Sequence, residues 1–309
     1  MPKILVAGSL NADLVVRTSR FPQPGETISG GDLQVIPGGK GANQAVAAAR
    51  LGAQVYMLGR VGRDNFGDFL LNNLQANHVD SSLVQRDDAS TGTAIIVVDA
   101  DGQNSIVLSP GANGKVSASD VELASFSDPS TRSGRRFDLL LLQLEIPTPT
   151  VLSAAKRAKE HGVRVILNPA PAQSIPDELI ALPDFLVPNE TELSLLTGME
   201  VKDLPSAEAA ARKLRERGAQ TVIVTLGSKG ALIVTAEEVT HVESFPVQPV
   251  DTTAAGDAFI GGFASVLDSS SLPDAVRYGC ACGALATTKF GAQPSLPNRA
   301  EVEEFLTHR

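Results

Sequence analysis

The chain has 309 residues, of which 43% are hydrophobic and 20% charged, and 26 Lys and Arg against 35 Asp and Glu give a formal net charge of −9. These proportions are typical of a globular chain with a large core, and the acidic excess together with the lack of Trp argues against nucleic acid as a partner. No apolar run reaches the length of a membrane span and the N-terminus has no secretory pattern, so we expect a cytoplasmic protein without a membrane partner.

The clearest regularity in the chain is a helix-like stretch that ends in glycine and is followed by a β-branched apolar run. The glycine stands where a left-handed residue ends a helix. Other strands, near Ile4 and Asp138, are continuous apolar runs, which are typical of a parallel sheet buried on both faces. The sequence therefore predicts an α/β, Rossmann-like fold, with helices on both faces of a mostly parallel sheet, in a single domain over residues 1–309. The glycines of this pattern are Gly52, Gly162 and Gly218.

Two segments, at about 14–36 and 91–110, interrupt this alternation. The first contains the turn-rich FPQPGET, and the second places Asp101-Gly102, a strong hairpin signal, between two β-rich arms. We predict that these segments form a small antiparallel β lid, which packs on the substrate cleft or on the same element of a second subunit. The polar stretch 127–136 is predicted as a surface loop.

A glycine-rich run, Gly38-Gly39-Lys40-Gly41, precedes an Ala-rich helix. Three glycines in four positions let the backbone come close to a ligand, and the start of the helix offers free N–H groups. The alternative is a tight turn whose glycines only permit positive φ. The run completes neither the GxxxxGK[ST] phosphate loop nor the GxGxxG dinucleotide fingerprint, because Gln44 stands at the place of the last glycine.

A second candidate is the segment DTTAAGD, residues 251–257, which leads into an apolar helix. Ala254, Ala255 and Gly256 can present backbone N–H groups at the start of that helix, where a developing anion is stabilised. Asp257 would lie beside this anion. The alternative is that Asp257 only caps the first turn and interacts with the helix dipole.

Two further segments could contact a ligand from neighbouring strands. A Gly-Ser-Lys-Gly turn at residues 227–230 joins two apolar strands, and alone it could be an ordinary connection. Asn189 and Glu192 open a helix after a buried strand, where an Asn is usually just an N-cap.

Taken in this order, the segments resemble the ribokinase-like carbohydrate kinase family over essentially the whole chain. GSLNAD at residues 8–13 and the glycine-rich run match the first family signature, and DTTAAGD matches the second, about 200 residues later. LQLE (142–145), PNETE (188–192), TLGSKG (225–230) and KFGAQPS (289–295) match further segments of the family. Two long signatures in the right order are far less expected by chance than one short motif.

The resemblance implies a sugar site in which short carboxylate and amide side chains bind the hydroxyl groups. It implies that Asp257 is the catalytic base, which accepts the proton of the sugar's primary hydroxyl as that oxygen attacks the γ-phosphorus of ATP. The N–H groups of Ala254, Ala255 and Gly256 would form the anion hole. The implied sugar-contacting positions are Asn11, Asp13, Gly39, Lys40, Gly41, Ala42, Asn43, Glu145 and Asp257.

The same resemblance implies ATP and two cations. Asn189 and Glu192 match positions near Mg²⁺, which they would contact through its hydration shell. A monovalent cation, K⁺, is implied beside the anion hole, where it would order the turn. The implied nucleotide positions are Asn189, Thr225, Leu226, Gly227, Ser228, Lys229, Gly230, Gly256, Asp257 and Cys280, and the implied K⁺ positions are Asp251, Thr253, Ala286, Lys289, Gly291 and Ser295.

Two positions depart from the family pattern. Ile260 stands where many members carry Asn, and Cys280 lies near the implied adenine site, where His or Asn is common. Cys280 leaves the packing of the adenine and the nucleotide preference open.

The expected activity is ATP-dependent phosphorylation of D-ribose at its 5-hydroxyl. The alternative acceptors are 2-deoxyribose, which differs by one hydroxyl, another pentose, or a nucleoside. A non-catalytic sugar-sensing protein on the same fold is an alternative of another class, which the presence of Asp257 after Ala-Ala-Gly disfavours. The expected partners are the sugar, ATP and a second copy of the chain in a homodimer formed through the lid. The apolar lid residues include Ile28, Val35, Ile95 and Val97.

Overall fold

The computed structural model describes residues 1–128, 130, 134 and 136–308, so that part of the predicted loop at 127–136 lies outside the described residues. The strands, in chain order, are β1 Lys3–Ala7, β2 Asn11–Arg17, β3 Gln34–Gly38, β4 Gln54–Gly62, β5 Asp80–Asp87, β6 Gly92–Val98, β7 Asn104–Ser109, β8 Leu139–Leu142, β9 Arg164–Leu167, β10 Phe185–Leu186, β11 Thr221–Thr225, β12 Ala231–Val234 and β13 Val239–Val242.

The helices alternate with these strands over most of the chain. None of those in the described part of the chain combines the length and the hydropathy that crossing a membrane requires. In chain order they are α1 Lys40–Arg50, α2 Asn65–Ala76, α3 Ala118–Leu123, α4 Thr148–Glu160, α5 Asp177–Ala181, α6 Glu190–Thr197, α7 Leu204–Glu216, α8 Ala255–Val266, α9 Leu272–Thr287, α10 Ala292–Ser295 and α11 Arg299–Thr307.

The larger sheet is built around β1. Its strand order in the described residues is β13-β12-β11-β10-β9-β8-β1-β4-β5. Neighbouring strands from β11 to β5 are parallel, and β12 and β13 add an antiparallel edge. In the centre, Val6 of β1 pairs with Met57 of β4 on one side and with Leu141 of β8 on the other. The predicted mostly parallel sheet is confirmed.

The side chains of β1 explain why this sheet is apolar on both faces. Successive side chains of a strand point to opposite faces. Ile4 and Val6 belong to the core layer shared with α1, α8 and α9, whereas Leu5 and Ala7 belong to the layer shared with α4, α6 and α7. Burying one such large aliphatic side chain contributes about 1.5–3 kcal/mol. Helices therefore cover both faces, as the sequence predicts.

The predicted helix ends are confirmed by the backbone angles. Gly52, Gly162 and Gly218 have φ of 96°, 66° and 107°, and each lies two residues beyond the last residue of α1, α4 or α7. A residue with a Cβ is strained in this left-handed region, so glycine is the residue that ends the helix and redirects the chain. Strands β4, β9 and β11 begin two or three residues later.

The two interrupting segments form a separate small sheet with the order β3-β2-β6-β7. The β2–β3 and β6–β7 pairs are antiparallel, and the central β2–β6 pair is parallel. Between β6 and β7, the Asp99 side chain accepts hydrogen bonds from the N–H groups of Asp101 (3.0 Å) and Gln103 (2.8 Å). The small lid sheet is confirmed, with a parallel central pair that the antiparallel prediction did not include.

Helices α1 and α8 pack at very short range. A Cβ added to Gly261 on α8 would lie 2.5 Å from the Ala47 Cβ and 2.8 Å from the Ala48 nitrogen, both on α1. Only glycine therefore permits this approach. The contact fixes the starts of α1 and α8, at Lys40 and Ala255, relative to each other.

Candidate functional site

The residues singled out in the sequence gather at the carboxyl edge of the larger sheet. The segment at residues 8–10 follows β1, Glu145 follows β8, Asn189 follows β10, and Thr225 ends β11. The carboxyl ends of parallel strands lie at one edge, where loops from distant parts of the chain meet. The start of α1 joins them, because the Lys40 N–H donates a hydrogen bond to Glu145 at 3.0 Å.

Asp257 lies in the first turn of α8 and is only 5% exposed. Asn43 Nδ2 donates to its Oδ2 at 2.9 Å, and Gln44 Nε2 donates to its Oδ1 at 3.0 Å. Burial raises the pKa of Asp257 above its ordinary value, whereas Lys40 and the two amide donors act in the opposite direction. The result is a carboxylate of fixed orientation and increased basicity, which is suited to accept a proton.

The turn before Asp257 has an unusual backbone. Ala254 has φ 60° and ψ 10°, in the left-handed region that residues with a Cβ rarely adopt. The Ala255 N–H donates to the Thr252 carbonyl at 3.3 Å, so it is already engaged inside the turn. The N–H groups of Gly256 and Asp257 belong to the first helical turn, where helices lack internal acceptors. Gly256 is exposed, and apart from its own helix a Cβ there would meet no atom within 4 Å, so a ligand can approach the backbone of this turn from solvent.

Glu145 fixes the glycine-rich run over the loop that follows β1. Its Oε2 accepts hydrogen bonds from Ser9 Oγ at 2.5 Å and from the Lys40 N–H at 3.0 Å. Ser9 Oγ in turn accepts one from the Gly41 N–H at 3.3 Å. Ser9, which the sequence reading did not single out, therefore joins β1, α1 and the residue after β8.

Lys40 is the positive charge at the centre of this group. Burial opposes its charge, but the carboxylates of Asp257, Glu145 and Glu192 outweigh that effect and raise the pKa of Lys40. The ammonium group therefore stays protonated at neutral pH. It can neutralise part of the charge of an anionic ligand.

Asn11 is held by a second asparagine that the sequence reading missed. Asn113 Nδ2 donates to Asn11 Oδ1 at 2.7 Å and to the Leu10 carbonyl at 3.0 Å. Asn113 Oδ1 accepts from the Leu10 N–H at 2.9 Å, and the side chain is buried. These bonds turn the oxygen of Asn11 towards Asn113 and its nitrogen away from it.

Asp13 brings a carboxylate from the small sheet to the same place. It lies on β2 and is nearly buried. Burial, with the negative charges of Glu145 and Asp257, raises the pKa of Asp13 to about 7. The lid strand is therefore electrostatically coupled to the other two carboxylates.

Asn189 and Glu192 form the capping box of α6. The Glu192 N–H donates to Asn189 Oδ1 at 2.8 Å, and the Glu192 carboxylate accepts from the backbone N–H (2.9 Å) and the Nδ2 (3.0 Å) of Asn189. Burial raises the pKa of Glu192, opposed by the Asn189 N–H. Asn189 also bridges to Thr225 of β11. The N-cap alternative is therefore realised, and a cation would meet these oxygens only in competition with the cap or through water.

The predicted Gly-Ser-Lys-Gly turn follows β11 directly. Residues Gly227–Lys229 form a short 3₁₀ turn, which the Leu226 N–H closes by donating to the Gly230 carbonyl at 2.8 Å. Lys229 Nζ lies 3.3 Å from Glu190 Oε1 and 3.2 Å from the Lys202 carbonyl. The turn is thus fixed against the start of α6, beside Asn189.

The two positions that depart from the family pattern are both packing positions. Ile260 on α8 and Cys280 on α9 belong to the core layer between these helices and the sheet. Burial raises the pKa of Cys280 to about 12, so the thiol stays neutral. Cys280 therefore offers a ligand a small, uncharged side chain that packs as an apolar group.

Asp251 links the turn before α8 to the loop after α9. Its Oδ1 accepts from the Thr253 N–H and its Oδ2 from the Gly291 N–H, both at 2.9 Å. Burial opposes the charge, but these hydrogen bonds hold the pKa of Asp251 below its ordinary value. Ser295 is fully buried and donates to the Ala292 carbonyl at 2.8 Å.

Two other residues of the implied K⁺ site, Lys289 and Gly291, lie on that loop. Ala286 is at the end of α9, and its carbonyl accepts from the Lys289 N–H at 3.3 Å. In the part of the chain that the structure describes, no cluster of three or more His, Cys, Asp or Glu side chains could hold a metal ion. A cation beside Asp251 would therefore depend mainly on backbone carbonyls.

Several buried or half-buried polar residues of the site were not predicted from the sequence. A signal existed for most of them, because they follow apolar strands at the sheet edge where ligands bind. Asn113 offered no such signal, since it lies in a turn far from the glycine-rich run. The missed residues are Ser9 after β1, Gln44 on α1, Asn113, Gln143 after β8 and Asn168 after β9.

The chain is similar to known carbohydrate kinases in both sequence and structure. Residues 1–299 match the model of the pfkB family carbohydrate kinase. A ribokinase of Haemophilus influenzae is 44% identical over 307 residues, which are 99% of this chain and 98% of the relative. A deoxyribokinase of Salmonella typhi is 41% identical over 98% of each chain. The structure of Arabidopsis thaliana ribokinase complexed with ribose and ATP superimposes with a TM-score of 0.89 and 37% identity, covering 99% of this chain and 98% of that one.

The first prediction concerns the pKa of Asp13 and the stability of the protein. Because the folded-state pKa, about 7, lies above the ordinary value of 3.8, ionising Asp13 costs folding free energy. The cost is absent below about pH 4, grows as the pH rises through 7, and is at most about 4 kcal/mol. Asp13→Asn should therefore stabilise the protein against urea at pH 8 and leave it unchanged at pH 4. The exposed Asp32→Asn is the matched control, and destabilisation by Asp13→Asn at pH 8 would contradict the assignment.

Proposed function

The chain belongs to the pfkB family of carbohydrate kinases, and we propose that it transfers the γ-phosphoryl group of ATP to the 5-hydroxyl of D-ribose, giving ribose 5-phosphate and ADP. The proposal depends on one observation: the Asp257 carboxylate is buried at the start of α8, where the side-chain amides of Asn43 and Gln44 on α1 donate hydrogen bonds to it. Ribose as acceptor is supported by the ribokinase relative and by the similar structure that contains ribose and ATP.

The proposed sugar site combines acceptors and donors from separate segments. Asp13 and Glu145 offer carboxylate oxygens, and Asn11 offers an amide held by Asn113. Asn43 donates to Asp257 through Nδ2, while its Oδ1 is buried without a hydrogen-bond partner among the described residues. An unsatisfied buried acceptor is costly, so a sugar hydroxyl is expected to donate to it. Backbone contacts are proposed from Gly39, Lys40, Gly41 and Ala42.

Asp257 acts as the base in this proposal. It accepts the proton of the 5-hydroxyl as that oxygen forms its bond to the γ-phosphorus, while the bond from this phosphorus to the β–γ bridging oxygen breaks and ADP leaves with the electron pair. The transition state of phosphoryl transfer is loose, so positioning and charge neutralisation contribute most of the rate and proton removal can be late. A carboxylate of raised pKa in a fixed orientation meets these requirements.

The charge that develops on the transferred group needs donors close by. We assign this role to the N–H groups of the turn from Ala254 to Asp257, among which that of Ala255 is already engaged inside the turn, and to the ammonium group of Lys40. Ala255 contributes by shaping the turn, because its own N–H is engaged with Thr252.

The nucleotide is proposed to lie along the end of β11 and the turn after it. Thr225, Asn189 and the Gly227–Gly230 turn adjoin each other at the sheet edge. Cys280 would contact the adenine as an apolar neighbour.

A cytoplasmic location is proposed from two features. The protein would use ATP, and its two cysteines, Cys280 and Cys282, are free thiols.

Mg²⁺ is proposed to accompany ATP. It would neutralise charge on the phosphate oxygens when bound. Asn189 and Glu192 fit this ion as partners of its bound waters, because their own oxygens cap α6. The buried Glu192 carboxylate also contributes negative charge on the side of Lys40 that faces α6.

K⁺ is proposed to bind beside Asp251. The carboxylate already joins Thr253, in the turn before α8, to Gly291, in the loop after α9. A cation held by Asp251 and by carbonyls of Thr253, Ala286, Lys289 and Gly291, near Ser295, would rigidify the turn that carries the anion hole.

2-Deoxyribose is the alternative acceptor with a specific observation behind it. The deoxyribokinase relative is 41% identical to this chain, close to the 44% of the ribokinase relative, so overall similarity does not separate the two sugars. They differ at the 2-hydroxyl alone, and discrimination requires a buried polar group that is left unpaired without it. Another pentose, a nucleoside, or sugar sensing without turnover are the remaining alternatives.

A homodimer through the lid sheet is proposed from its exposed apolar face. Leu14, Val35, Ile95 and Val107 occupy one continuous row across the sheet in the strand register. Val35, Ile95 and Val107 are 41%, 49% and 63% exposed, whereas Ile28 and Val97 are half-buried. Such a row of apolar side chains on a small open sheet fits a second copy of the same face.

The activity is tested by ADP release from ATP and Mg²⁺ with ribose, 2-deoxyribose, fructose and adenosine. Ribose should give the highest kcat/KM, and Asp257→Asn should lower kcat at least about 100-fold, because general-base catalysis contributes that much. Asp268→Asn, an exposed carboxylate just beyond the other end of α8, is the matched control. A preference for 2-deoxyribose would establish the alternative sugar, and ribose binding without turnover would establish a sensor.

Activation by K⁺ is tested in the same assay. Replacing K⁺ with a bulky organic cation should lower kcat several-fold, and Asp251→Ala should remove the response to K⁺ because it removes the charge that faces the ion. Asp274→Ala, an exposed carboxylate in the first turn of α9, is the control. Equal rates in both salts would contradict the proposed site.

The dimer is tested by size-exclusion chromatography with light scattering. The unmodified chain should elute with twice the chain mass of 32.2 kDa. Ile95→Asp should give monomers, because it places charge in the centre of the apolar row. Leu123→Asp, at a 54% exposed position on α3, should leave the dimer intact. A monomeric unmodified chain would contradict the proposal.

A further inference from the structure

Gln44 is the neighbour of Asn43 on α1 and is fully buried. Its Nε2 donates to Asp257 Oδ1 at 3.0 Å and to Asn168 Oδ1 at 3.2 Å. Its Oε1 accepts from Gln143 Nε2 at 2.5 Å. Both N–H groups of this amide and its oxygen are thus used inside the protein, so Gln44 has no donor left for a ligand.

Asn43 and Gln44 therefore differ in what they can do. Both hold the Asp257 carboxylate, one on each oxygen. Asn43 retains a buried unpaired oxygen that can receive a ligand, and Gln44 retains none. An effect of Gln44 on the reaction would have to pass through Asp257.

The orientation of each amide in this network is determined by its neighbour. An ionised Asp257 can only accept, so Gln44 must direct its nitrogen towards the carboxylate. The oxygen of Gln44 then faces Gln143, which must present its nitrogen. Asn168 presents its oxygen to Gln44 because its Nδ2 donates to the Val187 carbonyl at 3.0 Å. From the Val187 carbonyl through Asn168 and Gln44 to the Asp257 carboxylate, every acceptor in this path therefore faces a donor.

The chain maintains this network at a cost in stability. Gln143 Oε1 is buried without a hydrogen-bond partner among the described residues, and a Cβ on Gly8 would lie only 2.1 Å from it. An unpaired buried oxygen and a residue without a side chain both destabilise a core. Apolar side chains of similar volume would avoid both penalties, so packing alone does not account for the polar network.

We propose that Gln44, held by Gln143 and Asn168, is a positioning residue for Asp257: it fixes the orientation of the carboxylate and stabilises its negative charge without contacting the substrate. The inference rests on the proposed function, in which Asp257 is the base.

The direction in which a substitution at Gln44 moves the pKa of Asp257 follows from the charged groups around this carboxylate. Lys40 on α1, Glu145 after β8, Asp13 on β2 and Glu192 on α6 are its charged neighbours. A substitution at Gln44 leaves all four in place. Loss of a donor to the ionised form then raises the pKa of Asp257, so the acidic limb of the pH profile should move to higher pH.

The kinetic test measures kcat/KM for ribose against pH in the unmodified chain and three variants. Gln44→Met keeps the length of the side chain without its donors and should move the acidic limb up by about one pH unit. Gln44→Glu should move it further, because a second carboxylate then faces Asp257. Gln143→Met should have the smallest effect, since Gln44 keeps both donors. The KM for ribose at high pH should stay within about twofold of that of the unmodified chain, because Gln44 does not contact the sugar in this proposal.

Gln75→Met, at an exposed position on α2, is the matched control. Neither the acidic limb of its pH profile nor its KM for ribose should change. A fall in kcat in Gln44→Met with an unmoved acidic limb would mean a purely structural role and would overturn the proposal. A roughly tenfold rise in the KM for ribose with an unmoved limb would also overturn it, because Gln44 would then contact the sugar.

A second readout separates this inference from the proposed function. In protein labelled with ¹³C at aspartate Cγ, the Asp257 resonance is assigned by its loss in Asp257→Asn, and its titration midpoint should be higher in Gln44→Met. This measurement needs no turnover. A shifted midpoint in a chain that phosphorylates no sugar would reject the proposed function and retain the positioning role, and an unshifted midpoint in an active chain would reject the positioning role alone.

Discussion

The hydrogen bonds from Asn43 and Gln44 to the Asp257 carboxylate are the interaction on which the rest of the site depends. They join the start of α1 to the start of α8, and so bring together two parts of the chain that are about 200 residues apart. The close approach at Gly261 makes them possible, since any larger residue would separate the two helices. Loss of these donors would raise the pKa of the buried carboxylate further, and a protonated Asp257 cannot accept a proton from a substrate.

The buried charges of the site lower the stability of the folded protein and favour the binding of a ligand. Asp257, Glu145 and Glu192 stabilise the ammonium group of Lys40, and Asp13 is repelled by Glu145 and Asp257. Burial and mutual repulsion raise the pKa values of Asp13, Glu192 and Asp257. Such an excess of buried negative charge costs folding free energy. Sugar hydroxyls that donate to these oxygens, and a cation that accompanies the nucleotide, would relieve it, as is common where function and stability oppose each other.

The sequence predicted the features that arise from local pattern. The helix ends at Gly52, Gly162 and Gly218, the parallel core strands and the turn near Gly102 depend on residues close in sequence, and the structure contains them. The parallel β2–β6 pair was missed, because strand pairing over some 80 residues leaves no local signal. The hydrogen bonds among Gln44, Gln143 and Asn168, and the bond from Asn113 to Asn11, were missed because they join residues about 100 or more positions apart. The place of Gln143 and Asn168 after apolar strands could mark them as residues of the sheet edge, but it does not reveal their partners. The resemblance to a family supplied the proposed roles of Asp257 and of the sugar-contacting residues, and it did not reveal what holds these residues in place.

The central claim is that the site aligns a primary sugar hydroxyl between Asp257 and the phosphoryl donor. The most direct measurement is the proton-coupled ³¹P spectrum of the product formed from ribose and ATP. Phosphorylation of the 5-hydroxyl predicts a triplet from the two protons on C5. A doublet, from a phosphate on a carbon that bears a single proton, would contradict the account, because the attacking oxygen would then be a different hydroxyl.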